Sequence, residues 1–314
     1  MTPLIRAART PDLPAVFDLL AACFPEASRE LFVAQTERDS TFRLRHGRVA
    51  LLDGRVAGYV RIFARTMLVR GVHAPAGGIG SVATHPDARG AGIATALMRD
   101  AIAEMRREGM RVSYLFTGIP EFYERLGYGI VGQPSFDVDP REAASAPNSG
   151  LHDVRAIDES EIPQLLAIYE RAVAIRTGAV VRTKRTWRDA ARWLSEDSGG
   201  CFVAERDGLR VGYIRSRCRE RGHQILEAEC LLGHEGAIGA LLAAVAGRAV
   251  EHREAIYALV PDDHSLAAAL RLLPSTRESA LPTHPMMVRA LVDDPRLDAA
   301  FGGEPMHYWN SDRI

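Results

Sequence analysis

Residues 77–94, Gly77-Gly78-Ile79-Gly80-Ser81-Val82-Ala83-Thr84-His85-Pro86-Asp87-Ala88-Arg89-Gly90-Ala91-Gly92-Ile93-Ala94, carry the strongest structural signal in the chain. The first eight residues read as a strand, and residues 85–92 read as a glycine-rich loop. From Ile93 onward apolar residues recur at helical spacing, and Gly109 is a C-terminal stop signal. The order of strand, loop and helix directs backbone N–H groups and the positive end of a helix dipole at one place, which suits a phosphate or pyrophosphate.

Two other nucleotide-binding motifs do not fit this loop. A P-loop needs Gly-Lys followed by Ser or Thr, whereas Gly92 is followed by Ile93. A dinucleotide fingerprint needs a small residue where Thr95 stands, and it belongs near the start of a βαβ unit, whereas several predicted strands precede this loop. The pattern that remains is Arg89-x-x-Gly92-x-Ala94, and its alternative reading is a tight turn between two packed elements.

The chain also contains an internal repeat. The stretch from Asp53 to Arg61 aligns without a gap to the stretch from Asp207 to Arg215. Each begins with an Asp-Gly pair, which predicts a hairpin between two β-prone runs. Further upstream, residues 5–20 and 154–166 share a pattern of strand followed by helix. Two matched pieces in the same order indicate a duplication, although chance similarity of Asp-Gly hairpins is the alternative.

Length and composition agree with a soluble protein of two domains, because 314 residues correspond to two units of roughly 150 residues. The 39 Lys and Arg are offset by 40 Asp and Glu and form no dense basic run, which argues against a nucleic-acid partner. No apolar run reaches the roughly 18 residues of a membrane span, and no signal peptide is evident, so we expect a cytoplasmic protein with no membrane partner. The four cysteines and the histidines lack metal-ligand spacing, which predicts reduced thiols and no metal.

The segment Arg89-Gly90-Ala91-Gly92-Ile93-Ala94, placed after an apolar strand, resembles the acyl-CoA pyrophosphate loop of the GNAT superfamily of N-acyltransferases. A second landmark agrees, since residues 121–128 after the predicted strand at 112–116 look like the late helix of that family and the strand that follows it. The two motifs stand in the order of the family across about residues 1–140.

A narrower resemblance rests on Gly77-Gly78-Ile79 and residues 123–129, which are similar to the enhanced-intracellular-survival type of tandem GNAT acetyltransferase. Enzymes of that type acetylate aminoglycosides and other polyamine-like amines. Two features depart from the type: the chain is too short for its sterol-carrier-like third domain, and Asp87-Ala88 stands where the group has more basic residues.

The resemblance implies an α/β (α+β) fold of two tandem GNAT-like domains, each a mixed, mostly antiparallel sheet flanked by helices. The predicted units are a catalytic domain at 1–140, a linker at 141–150, a degenerate domain at 151–292 and a C-terminal tail at 293–314. The second domain is expected to be degenerate because its loop, residues 231–235, has lost the arginine, and its late helix, residues 266–273, has no tyrosine. We expect it to pack against the first domain and to shape the acceptor pocket.

The resemblance also implies how acetyl-CoA is held. Backbone N–H groups of one strand would orient the pantetheine and polarise the thioester carbonyl; they belong to Val82, Ala83 and Thr84. Backbone N–H groups of the loop would hold the pyrophosphate; they belong to Arg89, Gly90, Ala91, Gly92, Ile93 and Ala94. The side chain of Arg89 would add a charge contact.

Four further residues have roles or alternatives in this picture. Tyr123 matches the family tyrosine beside the thioester sulfur, where its reference pKa of about 10 lets it protonate a thiolate; a packed core tyrosine is the alternative. The base would be the terminal carboxylate of Ile314, with a disordered tail as the alternative. Glu26 would line the amine pocket, unless it is a solvated surface carboxylate, and His85 is expected to be a loop residue and not a base.

The resemblance therefore predicts an acetyl-CoA-dependent N-acetyltransferase that transfers the acetyl group directly, in a ternary complex, to a primary amine of a small molecule such as an aminoglycoside or a polyamine-like compound. Two alternatives stay open: a non-catalytic acyl-CoA-binding sensor or partner-binding module, and an acetyltransferase acting on protein amines. An enclosed acidic pocket between the domains would favour a small acceptor, and an open groove would favour a protein. The sequence is compatible with a homo-oligomer and does not define the oligomeric state.

Overall fold

The computed structural model describes residues 2–146, 150–157, 160–191, 199–219, 221–309 and 311. The strands are β1 (Leu4–Ala7), β2 (Gly47–Leu52), β3 (Arg55–Val69), β4 (Val72–Thr84), β5 (Val112–Phe116), β6 (Gly129–Val131), β7 (Ser135–Val138), β8 (Asp153–Ala156), β9 (Gly200–Arg206), β10 (Leu209–Arg219), β11 (Gly222–Cys230), β12 (Ile256–Leu259), β13 (Arg277–Ser279) and β14 (Met286–Ala290). The helices are α1 (Leu13–Cys23), α2 (Arg29–Arg38), α3 (Ile93–Arg107), α4 (Pro120–Glu124), α5 (Pro140–Ala144), α6 (Leu166–Val173), α7 (Lys184–Ala191), α8 (Gly236–His252), α9 (Ser265–Arg271) and α10 (Pro295–Gly303).

The strands form two seven-stranded sheets of matching order. The first sheet runs β1-β2-β3-β4-β5-β14-β6 and the second runs β8-β9-β10-β11-β12-β7-β13. In both sheets the fourth and fifth strands are parallel, and the other neighbours are antiparallel. Helices α3 and α8 pack on corresponding strands of the two sheets. This architecture confirms the predicted α/β fold of two tandem domains, each with a mixed, mostly antiparallel sheet.

The two sheets exchange one strand each, which the sequence does not predict. Strand β14, from the second half of the chain, lies between β5 and β6 of the first sheet. Strand β7, from the first half, lies between β12 and β13 of the second sheet. Each predicted domain, 1–140 and 151–292, therefore contains one strand of the other sheet. The start of the predicted linker is also structured, because α5 spans residues 140–144 and its Ala143 is buried in the second core.

The internal repeat is visible in local geometry. Asp53 and Gly54 have φ values of 50° and 76°, and the second Asp-Gly pair at residues 207–208 has values of 51° and 75°. Positive φ at both turn residues is the requirement of a two-residue type I′ hairpin, so both predicted hairpins are confirmed. Gly58 and Gly212 are also equivalent: a Cβ on Gly58 would lie 2.7 Å from the side chain of Ile93 in α3, and one on Gly212 would lie 3.4 Å from a side chain of α8. The absence of a side chain at Gly58 lets α3 approach the sheet closely, whereas at Gly212 the contact with the helix is an ordinary one.

The second half of the chain covers the first sheet on the face opposite α3. Residues 179–181 run beside β3, where the Leu68 N–H donates to the Ala179 carbonyl and the Val181 N–H donates to the Thr66 carbonyl, each at 2.8 Å. Residues 306–309, near the C-terminal end of the described chain, are buried as well. Tyr308 lies in the core beneath the first sheet, and its carbonyl accepts a hydrogen bond from the Gln133 amide at 2.8 Å. None of the described helices is long and apolar enough to cross a bilayer.

Candidate active site

Strand β4 changes its pairing halfway along its length. Its first part pairs with β5 as far as Ile79, opposite Leu115, and the described pairing between these strands ends there. On the other side, the register with β3 shifts at residues 81–82. Ser81 has a φ of 53°, a left-handed conformation that non-glycine residues seldom adopt. The result is a bulge and a gap beside residues 80–84, where the sequence predicts the strand that binds pantetheine.

The three residues predicted to face pantetheine differ in the exposure of their side chains. The Ala83 side chain is buried under α1, so only its backbone could reach a ligand. Val82 and Thr84 are half-buried. The Thr84 carbonyl accepts a hydrogen bond from the Cys23 thiol at 3.4 Å, which joins the end of α1 to the end of β4. The strand is therefore held from the α1 side while its other edge stays unpaired beyond Ile79 within the described sheet.

The loop after β4 has the conformation that an anion site requires. A short 3-10 turn at Pro86–Ala88 leads to two glycines with positive φ, 78° at Gly90 and 75° at Gly92. A Cβ on either glycine would meet nothing within 4 Å, so glycine is needed for backbone conformation and not for space. Gly92 is the N-cap of α3, whose first N–H groups have no acceptor within the helix. The predicted helix from Ile93 and its stop at Gly109 are confirmed, since α3 ends at Arg107 and Gly109 has a φ of 75°.

One predicted donor in this loop is already engaged. The Arg89 N–H donates to the Pro86 carbonyl at 3.3 Å, so the donors open to a ligand begin at Gly90. The Arg89 side chain is exposed and remains available for a charge contact. The Ile93 side chain is buried in the core, which leaves only its backbone for a ligand.

Tyr123 lies in α4 with its ring only 7% exposed. The ring packs edge-on against Phe122 and Tyr128, at centroid distances of 4.8 Å and 6.1 Å. It belongs to the same apolar cluster as Ile79 and Leu115, the last paired residues of β4 and β5. Burial raises the pKa of Tyr123 to about 12, so its hydroxyl is protonated at neutral pH.

The neighbouring tyrosine, Tyr128, has a packing role. The Tyr128 ring is 3% exposed, and its hydroxyl is hydrogen bonded to Ser113 Oγ at 2.7 Å. Ser113 Oγ also donates to the Gly77 carbonyl at 3.1 Å. Tyr128 thus belongs to a satisfied buried network that connects β4, β5 and the end of α4.

A groove of about 470 Å³ between α3 and the end of α4 contains functional candidates that sequence reasoning missed. Its lining includes four arginines and no acidic residue: Arg99, Arg106, Arg125 and Arg289. Three of them donate to backbone carbonyls, with Arg106 Nε to Leu291, Arg125 Nε to Glu121 and Arg289 Nη1 to Leu126. A groove with several guanidinium groups and no carboxylate suits phosphate. Arg99 and Arg106 stand seven residues apart, about two helical turns, and this spacing on one side of α3 was a signal in the sequence. Arg289, by contrast, comes from the exchanged strand β14.

The second domain carries acidic side chains at the corresponding places. In its loop the Gly233 N–H donates to Glu235 Oε1 at 2.9 Å. This backbone hydrogen bond lowers the pKa of Glu235, so a carboxylate of the protein occupies donors that in the first domain are open to a ligand. The late helix predicted for the second domain at residues 266–273 is confirmed as α9, which contains no tyrosine.

The C-terminal segment fills the other part of that second site. Pairing between β11 and β12 ends at Ile225, and beyond it Glu229 accepts hydrogen bonds from His307 Nε2 at 2.6 Å and Trp309 Nε1 at 2.8 Å. Burial raises the pKa of Glu229, but the nearby histidines outweigh it and hold the pKa well below its usual range. The second sheet therefore buries the chain's own residues where the first sheet has a gap.

The remaining predicted residues lie around the first domain or outside the described part. Glu26 is exposed in the connection between α1 and α2, three residues after the cysteine that contacts Thr84. His85 is an exposed loop residue, as predicted, and its Nδ1 accepts a hydrogen bond from the Asp87 N–H at 3.3 Å. Ile314, whose carboxylate is the predicted base, lies outside the described residues, although the preceding residues 306–309 are buried.

We predict that His85→Ala leaves kcat unchanged, because the imidazole caps a 3-10 turn and its Nδ1 lone pair is engaged by a backbone N–H. Loss of this cap is expected to lower the free energy of unfolding by at most about 1 kcal/mol. Steady-state kinetics and urea denaturation of the variant measure the two effects. A large loss of kcat with unchanged stability would instead identify His85 as the base.

Comparison with known proteins adds a family to this geometry. Residues 4–131 match the family described as acetyltransferase (GNAT) domain. The chain is 32% identical over 239 residues to an uncharacterized N-acetyltransferase from Streptomyces avermitilis. This alignment covers 70% of this chain and 56% of that protein. The chain spans about half the length of the curated relatives that it matches.

Solved structures share the fold at low sequence identity. A GCN5-related N-acetyltransferase from Anabaena variabilis superimposes with a TM-score of 0.73 at 18% identity, covering 92% of this chain and 73% of that one. Eis1 from Mycobacterium abscessus superimposes with a TM-score of 0.63 at 19% identity, covering 92% of this chain and 74% of that one. These likenesses extend across both sheets and concern the fold.

Proposed function

We propose that this chain, whose residues 4–131 belong to the acetyltransferase (GNAT) domain family, is an acetyl-CoA-dependent N-acetyltransferase that acts on a primary amine of a small molecule. The observation that carries the proposal is the gap beside the β4 bulge at Ser81, which continues into the loop with positive φ at Gly90 and Gly92. These features place an unpaired strand edge and the N-terminus of a helix in one continuous segment of the chain. GNAT domains in general use acetyl-CoA as the acyl donor.

The residues present fit such a donor. The backbone of residues 82–84 would bind pantetheine, and the N–H groups from Gly90 to Ala94 would bind the pyrophosphate at the N-terminus of α3. The groove with four arginines lies along the same helix and would take a further phosphate of the coenzyme. Acetyl-CoA supplies an activated acetyl thioester, and the protein supplies orientation, positive electrostatic potential and a proton donor.

In the proposed reaction, the neutral amine nitrogen forms a bond to the thioester carbonyl carbon, the carbon–sulfur bond breaks, and the electron pair leaves with sulfur. Tyr123 would give its hydroxyl proton to that sulfur, and a base would take the proton that the amine loses. Because burial holds the pKa of Tyr123 at about 12, its hydroxyl is fully protonated at neutral pH. The proton taken up by the base then returns through water to the Tyr123 oxygen, so the reaction releases no net proton.

For the acceptor, we propose an amine of the class used by the enhanced-intracellular-survival type, an aminoglycoside or a polyamine-like compound. The covered face of the first sheet supports a small acceptor, because residues 179–181 and the buried segment around Tyr308 leave little room there for a folded protein substrate. Glu26, in the connection after α1, would attract a cationic amine to the gap from the outer side. In this proposal the second domain shapes the acceptor pocket.

The direct test is a mass-spectrometric screen with acetyl-CoA against aminoglycosides, polyamines, amino acids and peptides. The expected result is the mass of one acetyl group on a small amine, lost when Gly92→Glu replaces the wild-type protein. Modification of peptides alone would support a protein acceptor. Calorimetric binding of acetyl-CoA with no transfer to any acceptor would support a sensor and contradict the enzymatic proposal.

We also predict that a C-terminal extension lowers kcat without changing acetyl-CoA affinity, because we propose the carboxylate of Ile314 as the base. Extension converts that carboxylate into an amide, which cannot accept a proton near neutral pH. The expected loss of kcat is about tenfold, which is less than a positioned base can contribute. The loss is smaller because water can accept part of the proton that the amine gives up. Kinetics of a five-residue extension measure it, and a one-residue glycine extension, which keeps a carboxylate nearby, is the control. Full activity of both would leave Glu26 or an ordered water as the acceptor.

A further inference from the structure

Three side chains that can bind a metal converge at one end of the second sheet, away from the proposed active site. Cys218 and His223 are paired across the hairpin of β10 and β11. Glu254 follows α8, just after Arg253, whose φ of 58° ends that helix. The Cys218 Sγ lies 3.1 Å from both carboxylate oxygens of Glu254, and His223 Nε2 lies 2.9 Å from Glu254 Oε2. The three potential ligand atoms all lie within 4.8 Å of one another.

The state of His223 is a second, independent observation. Its side chain is only 2% exposed. Neither ring nitrogen makes a hydrogen bond in the described structure, although Nε2 lies so close to the carboxylate, because the contact lacks hydrogen-bond alignment. A buried imidazole without hydrogen bonds is costly. A buried ring nitrogen that lies close to a thiol and a carboxylate without hydrogen bonding to either has the arrangement of a ligand beside a shared cation.

We propose that Cys218, His223 and Glu254 form a zinc site that links the β10–β11 hairpin to the end of α8. Thiolate, imidazole and carboxylate are the ligand types of protein zinc sites, at about 2.3, 2.0 and 2.1 Å from the metal. Ligands at those distances around one tetrahedral ion lie roughly 3.3–3.6 Å apart, so a small outward movement from the 2.9–3.1 Å separations would admit the ion. Three protein ligands leave the fourth position to water.

Charge also favours a divalent cation at this place. A thiolate at Cys218 and a carboxylate at Glu254 together carry two negative charges, which balance Zn²⁺, while His223 binds as a neutral ring. Arginines nearby have acceptors of their own: Arg217 Nε donates to Gln224 Oε1 at 2.6 Å, and Arg221 donates to Asp137.

The sequence pattern hides this site because its third ligand is remote. Cys218 and His223 are close along the chain, but Glu254 joins them only after β11 and α8 have folded back. The proposed site departs from the expectation, drawn from ligand spacing alone, that the protein has no metal site. A bound ion would hold the hairpin against α8 and stabilise the second domain, since a ligand that binds only the folded state shifts the unfolding equilibrium.

The test uses the full chain, stripped with a chelator and dialysed against Zn²⁺ alone, with metal content measured by elemental analysis. We expect one zinc per chain, a higher melting temperature with zinc, and thiolate-to-metal absorption when Co²⁺ replaces it. Cys218→Ser and His223→Gln should each weaken binding by about 100-fold or more, beyond the cost of losing an outer-shell partner. Cys230→Ser is the matched control at the other end of β11, where burial raises the pKa of the thiol to about 12 and disfavours a thiolate.

Several results would overturn the zinc site. If the wild-type protein retains no more zinc than Cys218→Ser, the cluster is only a thiol–carboxylate hydrogen bond beside a buried histidine. If Cys230→Ser loses zinc as strongly as Cys218→Ser, binding is not at this cluster. Glu254→Gln, which keeps the shape of the side chain, protects the test against a folding defect: it should retain the fold, judged by circular dichroism, and lose zinc. None of these readouts depends on acetyl transfer.

Discussion

Gly92→Glu is expected to abolish acetyl-CoA binding within the measurable range, lowering affinity by about 100-fold or more. Gly92 caps α3 with a φ of 75°, and the space around it is open, so the new side chain has room to fold over the first turn of the helix. Its carboxylate would take the N–H groups and the positive dipole end that an incoming pyrophosphate needs. A hundredfold loss corresponds to about 2.7 kcal/mol, comparable to one or two charge-assisted hydrogen bonds.

A matched control exists at the other end of the same helix. Gly109 also has a φ of 75° and open space, so Gly109→Glu introduces the same charge and the same backbone strain of roughly 1–2 kcal/mol. Calorimetric titration of acetyl-CoA should show one site per chain in the wild type and in Gly109→Glu, and none in Gly92→Glu. Equal affinity for all three proteins would remove the loop from the binding site.

The single expected site follows from the contrast between the domains. In the second loop the Glu235 carboxylate already accepts the Gly233 N–H, much as the new side chain of Gly92→Glu would act in the first. The second gap is filled by His307 and Trp309 on Glu229. A second acetyl-CoA would have to displace buried, hydrogen-bonded groups. Two equivalent sites in the titration would contradict this reading of the second domain.

Local structure was predictable wherever backbone conformation dictates the residue. The two Asp-Gly pairs fix their hairpins because both turn residues need positive φ, and Gly92 and Gly109 bracket α3 for the same reason. Strand β5 was likewise predicted at the residues where it occurs, 112–116. These predictions need only the residue and its near neighbours along the chain.

Long-range pairing was not predictable from the same signals. Strands β7 and β14 are four and five residues long, and nothing in such a short apolar run indicates which of two similar sheets will accept it. The duplicated order of the sheets makes the exchange reciprocal, because each exchanged strand takes the sixth position, between the fifth and the seventh strand. The arginine groove was missed for this reason, because Arg289 reaches it only through β14.

The exchange also bears on how the proposed site is held. Met287 of β14 lies in the same core cluster as Tyr123, so the second half of the chain supports the wall behind that ring. In addition, Arg289 donates a hydrogen bond to the Leu126 carbonyl, in the turn that follows α4. The first sheet is thus incomplete without residues of the second half of the chain, which gives that half a structural role in holding the proposed site.

Tyr123→Phe is expected to lower kcat by about 100-fold or more, the range that a positioned general acid contributes. The substitution removes the hydroxyl and keeps the ring, so packing against Phe122 and Tyr128 should persist and acetyl-CoA affinity should stay unchanged. The measurements are pre-steady-state and steady-state rates of acetyl transfer, with calorimetry for binding. An effect on kcat without an effect on affinity separates proton donation from a packing defect.

Tyr128→Phe is the matched control, because it removes a hydroxyl from the adjacent ring. Its hydrogen bond to Ser113 Oγ is lost, but Ser113 still donates to the Gly77 carbonyl, so we expect a stability loss of about 1 kcal/mol and an unchanged kcat. Similar losses of kcat in both variants would show that disturbing the aromatic cluster is sufficient, and would return Tyr123 to a packing role.

The pH dependence tests the protonation state of Tyr123 over the working range. The acid must be protonated to act, and burial raises the pKa of Tyr123 from 10 to about 12, so its contribution is present below that pH and lost only above it. From pH 6 to 10 the kcat of the wild type should therefore show no alkaline fall that depends on Tyr123. The pH profiles of the wild type and of Tyr123→Phe should have the same shape in that range. A descending limb near pH 10 that the substitution abolishes would still identify Tyr123 as the acid, but with the ordinary pKa of an exposed tyrosine, which would contradict the effect of its burial on the pKa.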